Sequence, residues 1–141
     1  LVPLALVVLL VFTGALCIFL SAVNVYLRDT QHLTEVLLMA WFWLTPIVYS
    51  YGQVSKQLAA HHLTVIYFLN PIAPIAMTFQ RAIYGHTSYV DPQGHLQPLL
   101  PHVGYSTYAL GLVGELAVVS VLFMVALVVF GKLEGNFAEE L

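Results

Sequence analysis

The chain has 141 residues, 60% of them hydrophobic and only 8% charged, with a mean hydropathy of +0.90. Soluble domains carry about a quarter charged residues, so this composition fits lipid rather than water as the solvent. A net charge of −3 offers no basic patch for phosphates and excludes nucleic acid as a partner, and a single cysteine excludes an intrachain disulfide or a cysteine-based metal cluster.

Residues 1–26 hold no ionisable side chain except Cys17, and at 1.5 Å per residue they span about 39 Å, enough to cross a bilayer with some tilt. The run is too long and lacks the basic flank of a cleavable leader, so the chain is read as the C-terminal part of a longer membrane protein. Thr13, Cys17 and Ser21 recur every four residues and Asn24 follows three later. This small, weakly polar stripe is expected to pack against a neighbouring helix, with Cys17 as a packing residue because an apolar setting disfavours its thiolate.

The adjacent Arg28 and Asp29 interrupt the apolar pattern and mark a tight, wet turn. Asp29 is expected to cap the next helix through its free amides, and Arg28 to reach lipid phosphates or the carbonyls behind it. A second spanning helix is predicted over 30–51, kinked by Pro46. Trp41 and Trp43 lie near its middle, about 200° apart around the axis. At most one can face a lumen, and aromatic packing between helices is the favoured role for either.

Most of the Gly, Pro and His fall in residues 52–104. "NPIAPIAMTFQRAIYG" sets Asn70 as N-cap, Pro71 at the first helical position and Gly85 as the stop. That predicts a helix of about 14 residues, too short to cross comfortably. With the apolar piece 63–69 it makes two short re-entrant or interfacial helices, a full crossing by 63–84 being the competitor. Residues 86–104, with Asp91-Pro92 and Gly94, read as an aqueous loop. A third spanning helix is predicted over 105–130, with Glu115 about ten residues in, where a carboxylate faces a partner or a water-filled path, and a protonated packing role stands beside a transport role. The tail, 131–141, spaces Leu133, Phe137 and Leu141 four apart, amphipathic enough to lie on a membrane or a partner. The fold class is thus an all-α integral membrane protein: three transmembrane helices plus two short re-entrant or interfacial ones. Arg28 and Lys132 share one side and Lys56 and Arg81 the other, so the positive-inside rule does not orient the chain.

The chemistry that can be read is mostly negative. Around Gly131-Lys132, Ala126 stands where a phosphate loop needs glycine and Leu133 where it needs Ser or Thr, so no cofactor is expected in this chain. His61, His62, His86, His95 and His102 lack metal-ligand spacings and read as solvated loop histidines. No nucleophile has a nearby base in the apolar runs, so no catalytic residue is assigned.

Four stretches together resemble the permease subunit of ABC exporters that move polysaccharides such as O-antigen and teichoic acid chains: "LSAVNVYLRDTQHL" (Asn24, Arg28, Asp29), "WFWLTPIVYS" (Pro46), "LNPIAPIAMTFQRAIYG" (Asn70, Pro71, Arg81) and "FGKLEGNFAEEL" (Glu134, Phe137). The resemblance implies the C-terminal half of a six-helix permease, working as a homodimer with two ATPase subunits that carry ATP and magnesium. It places the protein in a bacterial inner membrane as a multi-pass protein, with the Arg28 turn and the tail cytoplasmic and the short helices on the outer side. A glycan would then move past aromatic and polar side chains, for which Trp41, Trp43, Tyr49, Tyr67 and Glu115 are the candidates. The competing functions are export of drugs or small lipids, an intramembrane glycan or lipid transferase using Glu115 and loop histidines, and a non-catalytic assembly anchor.

Overall fold

A computed structural model describes residues 1–27, 29–47, 49, 51–60, 67, 69–85, 88–90, 94–98, 100 and 104–136. Arg28, Phe137, His61, His62, His86, His102 and most of the 63–69 piece lie outside them. In chain order the elements are α1 (Val2–Tyr26), α2 (Thr30–Leu44), α3 (Tyr51–Ala60), α4 (Ile72–Tyr84), a hairpin of β1 (Ser88–Val90) and β2 (Leu96–Pro98), and α5 (Tyr105–Leu133), closed by a 3₁₀ turn, Glu134–Asn136.

Two of these helices, α1 with 25 residues and α5 with 29, are long and apolar enough to cross a membrane. Only 22% and 17% of their most apolar windows are buried, whereas the central helix of a soluble protein is mostly covered. Their contact is the largest in the molecule. On α1 it uses Ala5, Val8, Phe12, Ala15 and Ala22, and on α5 Tyr108, Leu112, Val119 and Ala126, steps of three, four and seven that keep one face towards the partner. Gly14 adds to the approach, since a Cβ there would lie 3.2 Å from the Phe123 ring.

That face is not the one expected. Thr13, Cys17, Ser21 and Asn24 are all exposed, and the packing face is built from Ala5, Ala15 and Ala22 with Val8 and Phe12 instead. With no driving force from water between helices in lipid, association depends on close van der Waals contact, and a methyl side chain permits it without an unpaired hydroxyl.

The second spanning segment also differs. The residues 30–51 do not form one kinked helix: α2 stops at Leu44 after 15 residues, and Thr45 is extended at φ −97°, ψ 139°. The proline ring at position 46 disfavours helical geometry in the residue before it, so the chain breaks rather than bends, and a separate helix, α3, follows. Thr45 and Pro46 are fully buried at the break. Otherwise α2 buries only Thr30 and leaves Val36, Leu37, Leu38, Met39, Trp43 and Leu44 more than half exposed.

The short helix comes close to its prediction, as α4 with 13 residues ending at Gly85, whose φ of +61° suits glycine. It packs on α1 and, less, on α5, placing Ile75 in one core with Phe12 and Leu112. The 86–104 stretch is not all loop, and the fold not wholly α: Ser88 pairs with Pro98, Tyr89 with Gln97 and Val90 with Leu96, antiparallel. Three-residue strands without hydrophobic alternation leave no period to detect.

The two long helices run parallel. Tyr26 O–H donates to Leu133 O at 2.9 Å, joining their C-terminal ends. At the other end Leu1, Val2, Tyr105 and Tyr108 surround one cavity with Arg81.

Candidate functional site

The most connected polar group among the described residues is the Asn70 carboxamide, just before α4. Its Oδ1 accepts from the Trp41 indole N–H at 2.8 Å and from the Ile72 amide at 3.1 Å. Its Nδ2 donates to Thr45 Oγ1 at 3.1 Å and, more weakly, to Leu44 O at 3.5 Å. An amide offers two lone pairs and two N–H groups, and here all four are used. Asn70 therefore takes up the first amide of α4 from one residue outside the N-cap position, which is Pro71 and not Asn70 as expected, and also closes the broken end of α2. Thr45 O–H donates in turn to Trp41 O at 2.9 Å, and the Gln80 side-chain amide, about two turns along α4, donates to Pro46 O. The Trp41 ring meets Phe12 of α1 edge-on, with centroids 5.7 Å apart. Trp41, Pro46, Asn70 and Pro71 thus belong to one knot joining α1, α2 and α4.

Trp43 points elsewhere, 62% exposed and edge-on to Phe42, as the half-turn between the two indoles requires. Tyr49 and Tyr67 form a second centre beyond the break. The rings of Tyr67 and Tyr51 lie with their centroids 5.7 Å apart, and Tyr49 is close enough to act on the Tyr67 phenol. Burial pushes the Tyr67 phenol well above its ordinary range, and the neighbouring Tyr49 adds to the effect. Tyr89 O–H reaches Gly52 O at 3.4 Å and draws the hairpin towards α3.

Arg81, in the last turn of α4, has its guanidinium 5.1 Å from the ring centroids of both Tyr105 and Tyr108. This double cation–π contact fastens α4 to the start of α5, beside a cavity of about 280 Å³. Glu115 sits half-buried on α5 and, among the described residues, makes no hydrogen bond or ion pair. The five residues proposed for a substrate path are therefore not brought to one place: Trp41 is tied into the knot, Trp43 faces outward, the two tyrosines pair, and Glu115 stands on its own helix.

At the opposite end, Asp29 occupies the N-cap position of α2 but makes no side-chain bond to the helix amides. Its φ of −81° and ψ of −2° continue the helical turn, whereas a capping side chain works from an extended backbone, so the expected cap is absent. Asn24 lies exposed on the wall of a groove between α1 and α2, and Glu134 opens the 3₁₀ turn, exposed. No group of histidine, cysteine or carboxylate side chains able to hold a metal occurs among the described residues. What sequence reasoning missed is the role of Thr45 and Gln80. A threonine before proline and a glutamine ten residues after Asn70 carry no pattern until the helices are folded together.

Over 84 residues the chain is 34% identical to the O-antigen export system permease protein RfbA of Myxococcus xanthus, a stretch covering 60% of this chain and 31% of that relative. The chain resembles an O-antigen exporter permease. The resemblance first read from four motifs is borne out by this match. The matched stretch is under a third of the relative's own length. No family model matches the chain, and no solved structure matches it.

Proposed function

We propose that the chain is part of the transmembrane permease of an ATP-driven exporter that moves a polysaccharide or lipid-linked glycan across the bacterial inner membrane. The observation that carries this reading is the 34% identity to an O-antigen export permease, and the two long lipid-suited helices support it. In this reading two permeases pair with two ATPase subunits, which bind ATP and magnesium, and the permease itself performs no chemistry.

The parallel course of α1 and α5 supports a third crossing. A chain that leaves one spanning helix and enters another of the same direction must recross the bilayer between them. Here that return is divided: α2 rises to the level of Phe12 and breaks, and α4, tied to it through Asn70 and Gln80, continues towards the Arg81 end. Backbone breaks at membrane depth are tolerated where protein covers them, and Asn70 supplies the partners that the broken end of α2 lacks. A transferase reading would need polar groups converging on Glu115, and among the described residues none meets it.

The test is export itself. Removing the gene should leave glycan accumulated inside the cell, and restoring it should return glycan to the surface only when the ATPase partner retains its phosphate loop. Surface glycan unaffected by the deletion, or restored without ATP hydrolysis, would reject the reading.

A further inference from the structure

Glu115 contributes no bond to the fold. It follows Tyr105 at the start of α5 by about 15 Å along the helix axis, which sets it near the middle of a hydrocarbon core about 30 Å thick. Among the described residues it makes no hydrogen bond or ion pair. Nor is it sealed inside: the side chain is half-buried, and its oxygens are not among the polar atoms that the fold shuts off. The carboxylate is open to whatever lies beside α5.

The side of α5 that carries it is turned away from α1. Gly111 lies four residues before Glu115, Val118 three after and Leu122 seven after, spacings that keep one side of a helix, and all three are exposed. The flanking Gly114, Val121 and Val125 are exposed as well. A Cβ added at Gly111 or Gly114 would meet nothing within 4 Å, although glycine inside a helix weakens it relative to alanine. The buried face of α5 uses neither glycine, so the space they leave serves something else. In lipid, small residues let a second backbone come close.

Charge separates the possible occupants. Hydrocarbon offers a carboxylate neither a donor nor a cation, and ionisable groups at this depth face a bundle interior or a wet cavity. A wet path is unsupported, because Gly111, Gly114, Val118, Val121, Leu122 and Val125 bring no hydroxyl or amide to line it. A parallel second copy would set Glu115 against Glu115, like charge on like charge, with its Lys132 about 25 Å further along the helix. What fits is a helix of different sequence with a cation at that level.

We propose that this face of α5 seats a further membrane-spanning helix of the assembled exporter, whose Lys or Arg pairs with Glu115. Its backbone crosses over Gly111 and Gly114, and its apolar side chains cover Val118, Val121 and Val125. The seat rests on the exporter reading above for the assembly it belongs to, and on the length of α5 for the depth of Glu115.

The complete exporter, permease with ATPase, is irradiated in its native membrane with benzoylphenylalanine in place of Val118, and the adduct is mapped by mass spectrometry. It should fall on a spanning segment of different sequence from α5, with a Lys or Arg within one turn of the linked residue. Glu115→Gln should lower the adduct yield at least about tenfold. Glu115→Lys should do the same, and changing the mapped Lys or Arg to Glu in that variant should return the yield, which misfolding alone would not allow. An adduct to lipid alone, to α5 of a second copy, or to a segment without a cation would overturn the seat and leave the exporter reading intact. So would an unchanged yield in Glu115→Gln, or a charge exchange that fails to rescue. An exporter that gives the expected adduct yet moves no polysaccharide would keep the seat and remove the exporter reading.

Discussion

The indole N–H of Trp41 and the Oδ1 of Asn70, 29 residues apart in the chain, meet at 2.8 Å. Two sequence motifs that look independent, the tryptophan-rich end of α2 and the Asn-Pro start of α4, are therefore two halves of one polar joint. Because the joint fills every hydrogen-bonding position of Asn70, shortening that side chain leaves several partners unmet at once.

Asn70→Ala should accordingly be among the most damaging single changes in the chain. It strands the Trp41 indole and the Ile72 amide, and an unsatisfied buried group costs about 1–3 kcal/mol. Trp41→Phe keeps the edge contact with Phe12 and loses one hydrogen bond, for about 1 kcal/mol. Thermal unfolding of the purified protein in detergent checks both. A Trp41→Phe loss equal to that of Asn70→Ala would show that ring packing, not the amide, holds the joint.

For Asp29 the expected effect is small. Its carboxylate is exposed and bonds none of the first amides of α2, so Asp29→Ala and Asp29→Asn should both change stability by less than about 0.5 kcal/mol. Export per folded permease is measured beside melting. If both variants melt normally and only export falls, the carboxylate serves a partner and not the helix. An alanine loss near 1 kcal/mol, relieved by asparagine, would restore the capping account.

Much of this architecture was legible because it depends on long apolar runs and local stop signals. Both long apolar helices and the short helix Ile72–Tyr84 follow from length, proline and glycine. The sequence reading failed wherever one helix had to choose a face. Thr13, Cys17 and Ser21 share a side with the regularity of a packing stripe, yet the alanines at 5, 15 and 22 make the contact. In lipid both sides are apolar enough to serve, and the choice depends on the shape of α5. The break at Pro46 was visible, but not its severity, because a kink needs only one lost bond whereas a break needs new partners. Those partners, Asn70 and Gln80, lie 24 and 34 residues further on.

At the Arg81 end, charge alone should not be enough. Arg81→Lys retains the cation but replaces a flat guanidinium stacked between Tyr105 and Tyr108 with a compact, strongly hydrated ammonium. The expected loss is about 1 kcal/mol for the weakened cation–π contacts. Tyr108→Phe, which preserves the ring and removes only the hydroxyl, should cost less than Tyr108→Leu, which removes the aromatic face. Reversal of that order in melting experiments would mean that the Tyr108 hydroxyl, and not the ring face, anchors α4.

The contact between α1 and α5 can be tested by filling the space at Gly14. A Cβ there would stand 3.2 Å from Phe123 Cε2, so Gly14→Ala needs only a small shift of the ring. Gly14→Leu overpacks the seam and should cost about 1–3 kcal/mol. Phe123→Ala alone opens a gap beside Gly14. Combined with Gly14→Leu, it should restore part of the loss, a coupling of opposite sign to simple addition. Additive losses would mean that Gly14 and Phe123 do not face each other.

The parallel course of the two long helices leads to the last expectation. The Tyr26–Leu133 hydrogen bond fixes their C-terminal ends together, and the cavity shared by Val2, Arg81 and Tyr105 fixes their beginnings together. Leu96 in the hairpin and Gly135 after α5 must then lie on opposite faces of the membrane, and both are exposed. In a Cys17→Ser background, a cysteine at Leu96 should react with an impermeant thiol reagent in intact cells. A cysteine at Gly135 should react only after the membrane is opened. Reversed labelling would keep the parallel pair and invert the chain in its membrane. Labelling of both sites from the same side would be incompatible with α1 and α5 crossing in one direction. It would also remove the need for α2 and α4 to carry the chain back between them.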